Sequence, residues 1–141
     1  MKSCIFCDIN DRKSPQSKTI IYEDEFVYVM PDKYPHALGH FLVIPKVHII
    51  DVHVLGVNDI DLLKHMMKVG EQIMESQGEQ YKGIKYGFHV RPFHSIKHLH
   101  LHCLGLPYHS CFDNIIYHSP FFMTADKALI HLEKKTKKMS V

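Results

Sequence analysis

The sequence of 141 residues is short of several features that would settle its class at a glance. No apolar run approaches the length of a transmembrane helix, so no membrane is expected as a partner. There is hardly any net charge: 17 Lys+Arg against 15 Asp+Glu leave a formal +2. That removes the strong electrostatic case for a nucleic-acid binder. The start, Met1-Lys2-Ser3-Cys4, lacks the long apolar region of a signal peptide, so cytosol or nucleus is the expected location. In that setting the four cysteines (Cys4, Cys7, Cys103 and Cys111) are expected as thiols or metal ligands rather than disulfides. There is no internal repeat and no second domain. A chain of this length, 45% hydrophobic, suits one domain with one core.

Histidine is what the chain has in excess, with 13 residues. Three of them lie in His98-Leu99-His100-Leu101-His102-Cys103-Leu104. Alternation of period two predicts a β-strand over 98–104, because successive side chains point to opposite faces. The three imidazoles then share one face, spaced roughly 6.5–7 Å apart, and Leu99, Leu101 and Cys103 share the other. That separation suits one phosphate group or one metal with its neighbours. His40, His48 and His89 also fall in predicted strands or at their ends. His36, His53, His65, His94, His109, His118 and His131 are expected in solvated or simply hydrogen-bonded positions.

The rest of the chain frames this segment. Residues 4–10 suit a short helical turn, and 12–17 a polar loop with Pro15. Strands are expected over 19–22 and 26–30, joined by Glu23-Asp24-Glu25. A strongly apolar strand over 40–44 is stopped by Pro45. Asn58 or Asp59 can cap a helix running to about Gln77. Its stripe is Leu62, Met66, Val69 and Ile73, widened by Leu63, Met67 and Met74, and it is broad enough to cover a sheet. Further strands are expected over 83–90 and 98–104. Thr124 caps a short final helix to about Glu133, before a frayed basic tail from Lys134 to Lys138. The expected class is α+β, an antiparallel sheet of about five strands with helices on one face.

The His98–Leu104 run resembles the motif of the histidine triad (HIT) superfamily, and the chain is similar to its Hint-type nucleotide-binding proteins over nearly its whole length. The likeness is carried by Cys4-Ile5-Phe6-Cys7, Tyr22-Glu23-Asp24-Glu25 and Gly39-His40-Phe41-Leu42-Val43-Ile44-Pro45-Lys46 before His48. Gly87-Phe88-His89 and Ser95 precede the triad. Phe121-Phe122-Met123-Thr124-Ala125-Asp126 looks like the branch nearest aprataxin. The resemblance implies a HIT-like fold and a hydrolase of nucleoside 5′-phosphoramidates, such as AMP linked to an amine. His100 would be the nucleophile, with His40, Ser95 and His102 holding the phosphate and assisting proton transfer. A neutral imidazole is a competent nucleophile toward phosphorus near neutral pH.

Further expectations follow from the same resemblance. Asp32, eight residues before His40, matches a ribose-binding carboxylate, although an Asp serving a turn beside Pro31 fits the local sequence as well. Phe26, Tyr28 and Met30 suit a base pocket or the core equally. His89 resembles a phosphate-contacting histidine, and Arg91 adds either a cation near the phosphate or an exposed loop side chain. Cys4 and Cys7 have the spacing for one tetrahedral zinc, though also for a redox pair or two unrelated thiols. The resemblance completes a structural zinc site with His48 and His98. Cys103 is expected in the core and Cys111 in a loop. A two-fold homodimer is implied by resemblance alone. Two other roles are compatible: an aprataxin-like deadenylase of 5′-adenylated nucleic acid, and a non-catalytic nucleotide-binding scaffold. Against the first stand the near-neutral charge and a tail without a second Cys/His cluster.

Overall fold

The computed structural model describes residues 3–78 and 80–139. Residues 1, 2, 79, 140 and 141 lie outside the described residues, so the expectation for the segment 1–4 is met with structure only from residue 3. The order is α1 (Ile5–Asn10), β1 (Tyr22–Glu23), β2 (Val27–Pro31), β3 (Ala37–Pro45), α2 (Ile60–Ser76), β4 (Ile84–His89), β5 (Leu101–Tyr108), α3 (Cys111–Ile116), β6 (Phe122–Thr124) and α4 (Ala125–Met139). The fold is α+β, as the alternation and the helical stripe imply. The sheet has six strands rather than about five, in the order β1-β2-β3-β5-β4-β6, and every pairing is antiparallel.

The strand carrying the triad sits in the middle of this sheet, between β3 and β4. It differs from the expected segment at both ends. β5 begins at Leu101, so of the three triad histidines only His102 belongs to the ladder, and it runs on to Tyr108. Residues 98–100 approach in extended chain tied to another loop, with the Leu99 N–H donating to the Ile49 carbonyl at 2.6 Å. The face assignment holds all the same. Leu99, Leu101 and Cys103 join Val27, Val29 and Val43 in the main core, while His102 turns to the opposite side.

The two long helices share the first face, as expected. α2 buries Leu63, Met66, Val69 and Met74 against the sheet, with Leu62, Met67 and Ile73 packed partly buried beside them. The helix comes close because Gly70 carries no side chain: a Cβ there would stand 2.9 Å from the Cys103 sulfur. α4 adds Ala125, Ala128 and Leu132 to the same core and continues to Met139, so the basic run 134–138 is helical rather than frayed. The other face is covered by shorter pieces. Phe6 and Ile9 of α1 pack on Tyr28, Met30, Leu42 and Ile44. Tyr117, just after α3, packs on Ala37, Leu104 and Phe122.

Other boundaries shift by a few residues. Pro15–Thr19 is a 3-10 turn where a loop was expected. β1 is only Tyr22–Glu23, because Asp24 closes the turn: its Oδ1 accepts the N–H groups of Phe26 (2.7 Å) and Val27 (2.9 Å). β3 starts earlier than expected, at Ala37. α3 and β6 were not anticipated. A cue for α3 is present in Ser110-Cys111-Phe112-Asp113: the Ser110 hydroxyl oxygen accepts the Asp113 N–H at 3.1 Å, which is an N-cap with an acidic third position.

β6 is seated by Gly87. A Cβ at this position would lie 2.4 Å from the Met123 carbonyl oxygen and 2.4 Å from the Phe122 ring. Backbone cannot give way as a flexible side-chain end can. Gly87→Ala is therefore expected to cost about 1–3 kcal/mol, measurable as a lowered denaturation midpoint. A midpoint equal to that of the parent would contradict this packing.

Candidate active site

The triad opens into a cleft of about 570 Å³ on the sheet face opposite the main core. Its walls include His100, His102, His89, Ser95, Asp32 and Met30. The size suits a nucleotide-sized ligand. Phe26 and Tyr28 do not contribute. Phe26 is exposed beside His65, and Tyr28 is fully buried with its hydroxyl donating to the Phe6 carbonyl at 2.7 Å. Tyr34, His36, Phe93, Phe112, Tyr117 and Phe121 line the cleft without having been anticipated. Most come from α3 and the loops, where no periodicity marks a position as inward-facing.

Hydrogen bonds set the tautomers of His100, His40 and His102. Nδ1 of His100 lies 2.7 Å from the His98 carbonyl oxygen. A carbonyl only accepts, so Nδ1 carries the proton and Nε2 keeps a free lone pair. Burial pushes the His100 pKa down to about 4, against the carbonyl bond and aided by His89, His98 and His94. The ring is neutral near pH 7, with a nucleophilic nitrogen on a side chain that lines the cleft.

His102 presents the complementary atom. The His36 backbone N–H donates to Nδ1 of His40 at 3.0 Å, so neutral His40 carries its proton on Nε2. That nitrogen faces Nδ1 of His102 at 2.9 Å and Asp32 Oδ2 at 3.3 Å. With Nδ1 of His102 accepting, its Nε2–H is left as the donor. Nε2 is buried and has no partner among the described residues, a feature that a bound acceptor would resolve. Burial holds His102 well below its ordinary pKa, with His100, His89, His40 and His36 adding to the effect. His40 is likewise lowered to about 3, chiefly by burial.

These bonds change the reading of His40. His40 was expected among the groups that act on the phosphate. Its side chain is fully buried behind His102, so it sets that ring's tautomer and does not line the cleft. Nor do Asp32, His40 and His102 make a metal site, although their donor atoms lie close together. Ligation through Nε2 would move the His40 proton to Nδ1, against the His36 N–H. Asp32 accepts the Tyr34 N–H at 2.8 Å and lines the cleft. Burial raises its pKa, partly offset by that bond.

Four of the histidines expected in solvated or simply hydrogen-bonded positions have hydrogen-bond partners. His36 pairs with Asp113 at 2.7 Å, His65 with Asp24 at 2.7 Å, and His94 with Asp51 at 3.1 Å. His53 accepts the Arg91 N–H. His109, His118 and His131 are exposed as expected. Tyr117 packs among His36, His40, His89 and His102, with ring centroids 4.6–5.7 Å apart. His89 lines the cleft with its Nδ1 unpartnered among the described residues. Arg91 is not on the cleft wall; it pairs with Asp51.

Cys4, Cys7, His48 and His98 form a second cluster, with their donor atoms all within 4.8 Å of one another. Nε2 of His98 faces the Pro45 carbonyl oxygen at 2.8 Å, so it holds the proton and Nδ1 is free to ligate. That Nδ1 lies 3.2 Å from Cys4 Sγ, 3.6 Å from Cys7 Sγ and 3.1 Å from His48 Nδ1. Edges of a tetrahedron around zinc with such ligands are about 3.3–3.8 Å. The donor set therefore fits this ion. Cys103 is buried in the core, and exposed Cys111 opens α3 rather than lying in a loop.

A family model described as scavenger mRNA decapping enzyme C-term binding matches residues 3–118, which includes the whole cluster and the cleft's histidines. The chain belongs to the histidine triad family. A bifunctional adenosine 5′-phosphosulfate phosphorylase/adenylylsulfatase, HINT4 of Arabidopsis thaliana, is 42% identical over 109 residues, 76% of this chain and 73% of its own. The adenosine 5′-monophosphoramidase HINT3 of Mus musculus is 32% identical over 136 residues, 94% of this chain and 82% of its own. Among solved structures, a HIT family hydrolase from Clostridium thermocellum superposes with a TM-score of 0.69 at 33% identity, covering 76% of this chain and 93% of that one. No helix among the described residues of this histidine triad protein is long and apolar enough to cross a membrane.

Proposed function

We propose that this histidine triad protein hydrolyses nucleoside 5′-phosphoramidates, AMP joined to an amine, through a covalent nucleotidyl-His100 intermediate. The observation that carries the reading is the paired tautomers: a free Nε2 lone pair on His100 and an unpartnered Nε2–H on His102, both rings lining one cleft. The relatives named as acting on adenosine nucleotides support it.

In the first half-reaction Nε2 of His100 forms a bond to the α-phosphorus and the P–N bond breaks. The electron pair leaves with the amine nitrogen, which takes a proton relayed from solvent through the Ser95 hydroxyl. The His102 Nε2–H donates to a phosphate oxygen as charge builds there. In the second half-reaction water attacks phosphorus, the P–Nε2 bond breaks and the water's proton goes to solvent. Dividing one displacement into two easier ones is the gain of a covalent route. Asp32 accepts hydrogen bonds from the ribose hydroxyls, and His89 contributes to holding the phosphate. Asp32→Asn is expected to raise KM for the nucleotide about 10-fold with a smaller change in kcat, since a charge-assisted bond common to ground and transition states is weakened. An unchanged KM would remove Asp32 from the binding site.

We also assign the cysteine–histidine cluster to one structural zinc ion, held by Cys4, Cys7, His48 and His98. Four protein ligands leave no open position, so the ion supplies folding free energy and no chemistry on the substrate. It joins α1 to the segment that leads into the nucleophile. With zinc restored, purified protein should release AMP from an adenosine 5′-phosphoramidate in multiple turnovers. Binding of AMP without turnover would overturn the phosphoramidase reading, and release of AMP from a 5′-adenylated oligonucleotide alone would replace it with deadenylation.

A further inference from the structure

The segment 90–97 brings Ser95 to the cleft, yet it belongs to no strand or helix. It leaves β4 with the Val90 N–H on the Phe121 carbonyl and ends where the Leu99 N–H meets Ile49. Between these points the side chains of Arg91 and His94 both bond to one carboxylate, Asp51. Arg91 donates through Nε–H at 2.5 Å to Oδ2 and through Nη2–H at 3.1 Å to Oδ1. His94 donates through Nε2–H at 3.1 Å, and the His53 backbone N–H at 3.0 Å completes the set. The Asp51 side chain is only 4% exposed, so its four donors are what allow a charge to be buried there.

The partner histidine shares a small cavity with the nucleophile. Because a carboxylate only accepts, His94 carries a proton on Nε2, and its other ring nitrogen is Nδ1. That nitrogen is buried without a partner among the described residues. The ring shares the wall of a cavity of about 10 Å³ with His89, His98 and His100. One carboxylate thus fixes both the segment bearing Ser95 and a ring packed beside the nucleophile.

We infer that Asp51 is a positioning residue for the reaction at His100: through Arg91 and His94 it holds Ser95 in register over the cleft. This rests on the phosphoramidase reading. Misplacing a catalytic group by about 1 Å can cost around 100-fold in rate, whereas nucleotide binding at Asp32, on the loop after β2, has no hydrogen bond to this network among the described residues.

The test compares the zinc-loaded parent protein with Asp51→Asn, Arg91→Ala and Ser95→Ala, and with each network variant combined with Ser95→Ala. Turnover of adenosine 5′-phosphoramidate and amide hydrogen exchange over 91–97 are measured. Asp51→Asn is expected to lower kcat about 10- to 100-fold with KM nearly unchanged. Most of that loss should vanish in the Ser95→Ala background, because the two substitutions remove one effect. Exchange should rise within 91–97 only. Arg91→Ala keeps the His94 and His53 donors on Asp51 and should show the same pattern more weakly, which keeps the inference testable if Asp51→Asn does not fold. Losses that multiply in full with Ser95→Ala, or a folded Asp51→Asn with parental kcat, would overturn it. If the parent itself releases no AMP, the phosphoramidase reading fails. The exchange data then still decide whether Asp51 orders the segment, and parental exchange in Asp51→Asn would overturn that too.

Discussion

His100→Ala is expected to reduce turnover of adenosine 5′-phosphoramidate by at least roughly 10⁴-fold, the order seen when a covalent nucleophile is removed. The fold and AMP binding should survive, because the ring's one backbone bond is to His98 and the phosphate donor is on His102. His102→Ala should lose less, about 10²–10³-fold, as a donor aimed at developing charge is removed while the nucleophile stays. The two variants are compared by steady-state kinetics beside AMP titration. Equal, mild losses at both positions would mean that neither ring forms a bond to phosphorus.

The second large effect concerns the metal cluster. Stripping zinc with a chelator is expected to lower the thermal midpoint by about 10 °C, corresponding to roughly 3 kcal/mol for a domain of this size. Cys7→Ser should reproduce the drop and reduce the bound metal from one ion per chain. Without a cation the Cys7 thiol is pushed up to about 11, first by burial, then by its hydrogen bond and proximity to Cys4 and by Asp11 and Asp8. Ligation requires the thiolate, so the ion and the deprotonated cysteine stabilise each other. Metal-free protein with an unchanged midpoint after dialysis against zinc would contradict the assignment.

Much of this arrangement is legible in the sequence where chemistry is written in a repeating pattern. Period-two alternation over 98–104 places three imidazoles and three apolar side chains on opposite faces, and the structure keeps that division although the ladder begins only at Leu101. The helical stripe from Leu62 to Met74 likewise marks α2 and its buried face. What escapes is set by single long-range bonds. Nothing local to His94 distinguishes it from an exposed loop histidine; Asp51, 43 positions earlier, decides its surroundings. The resemblance groups His40 with the triad, yet only its bonds to the His36 N–H and His102 show that it stands behind His102. α3 is short and packs by way of Tyr117 and Asp113, so no amphipathic period announces it; the Ser110–Asp113 spacing alone does.

The bond between His100 and phosphorus is the central step of the proposed reaction. Acid- or heat-quenched protein, taken within the first turnovers on adenosine 5′-phosphoramidate and digested, should carry an adenylyl group on the peptide containing His100. The group should decay on the timescale of AMP release and be absent from His100→Ala. Sustained AMP release with no adduct at any time, or with the adduct on another residue, would contradict it.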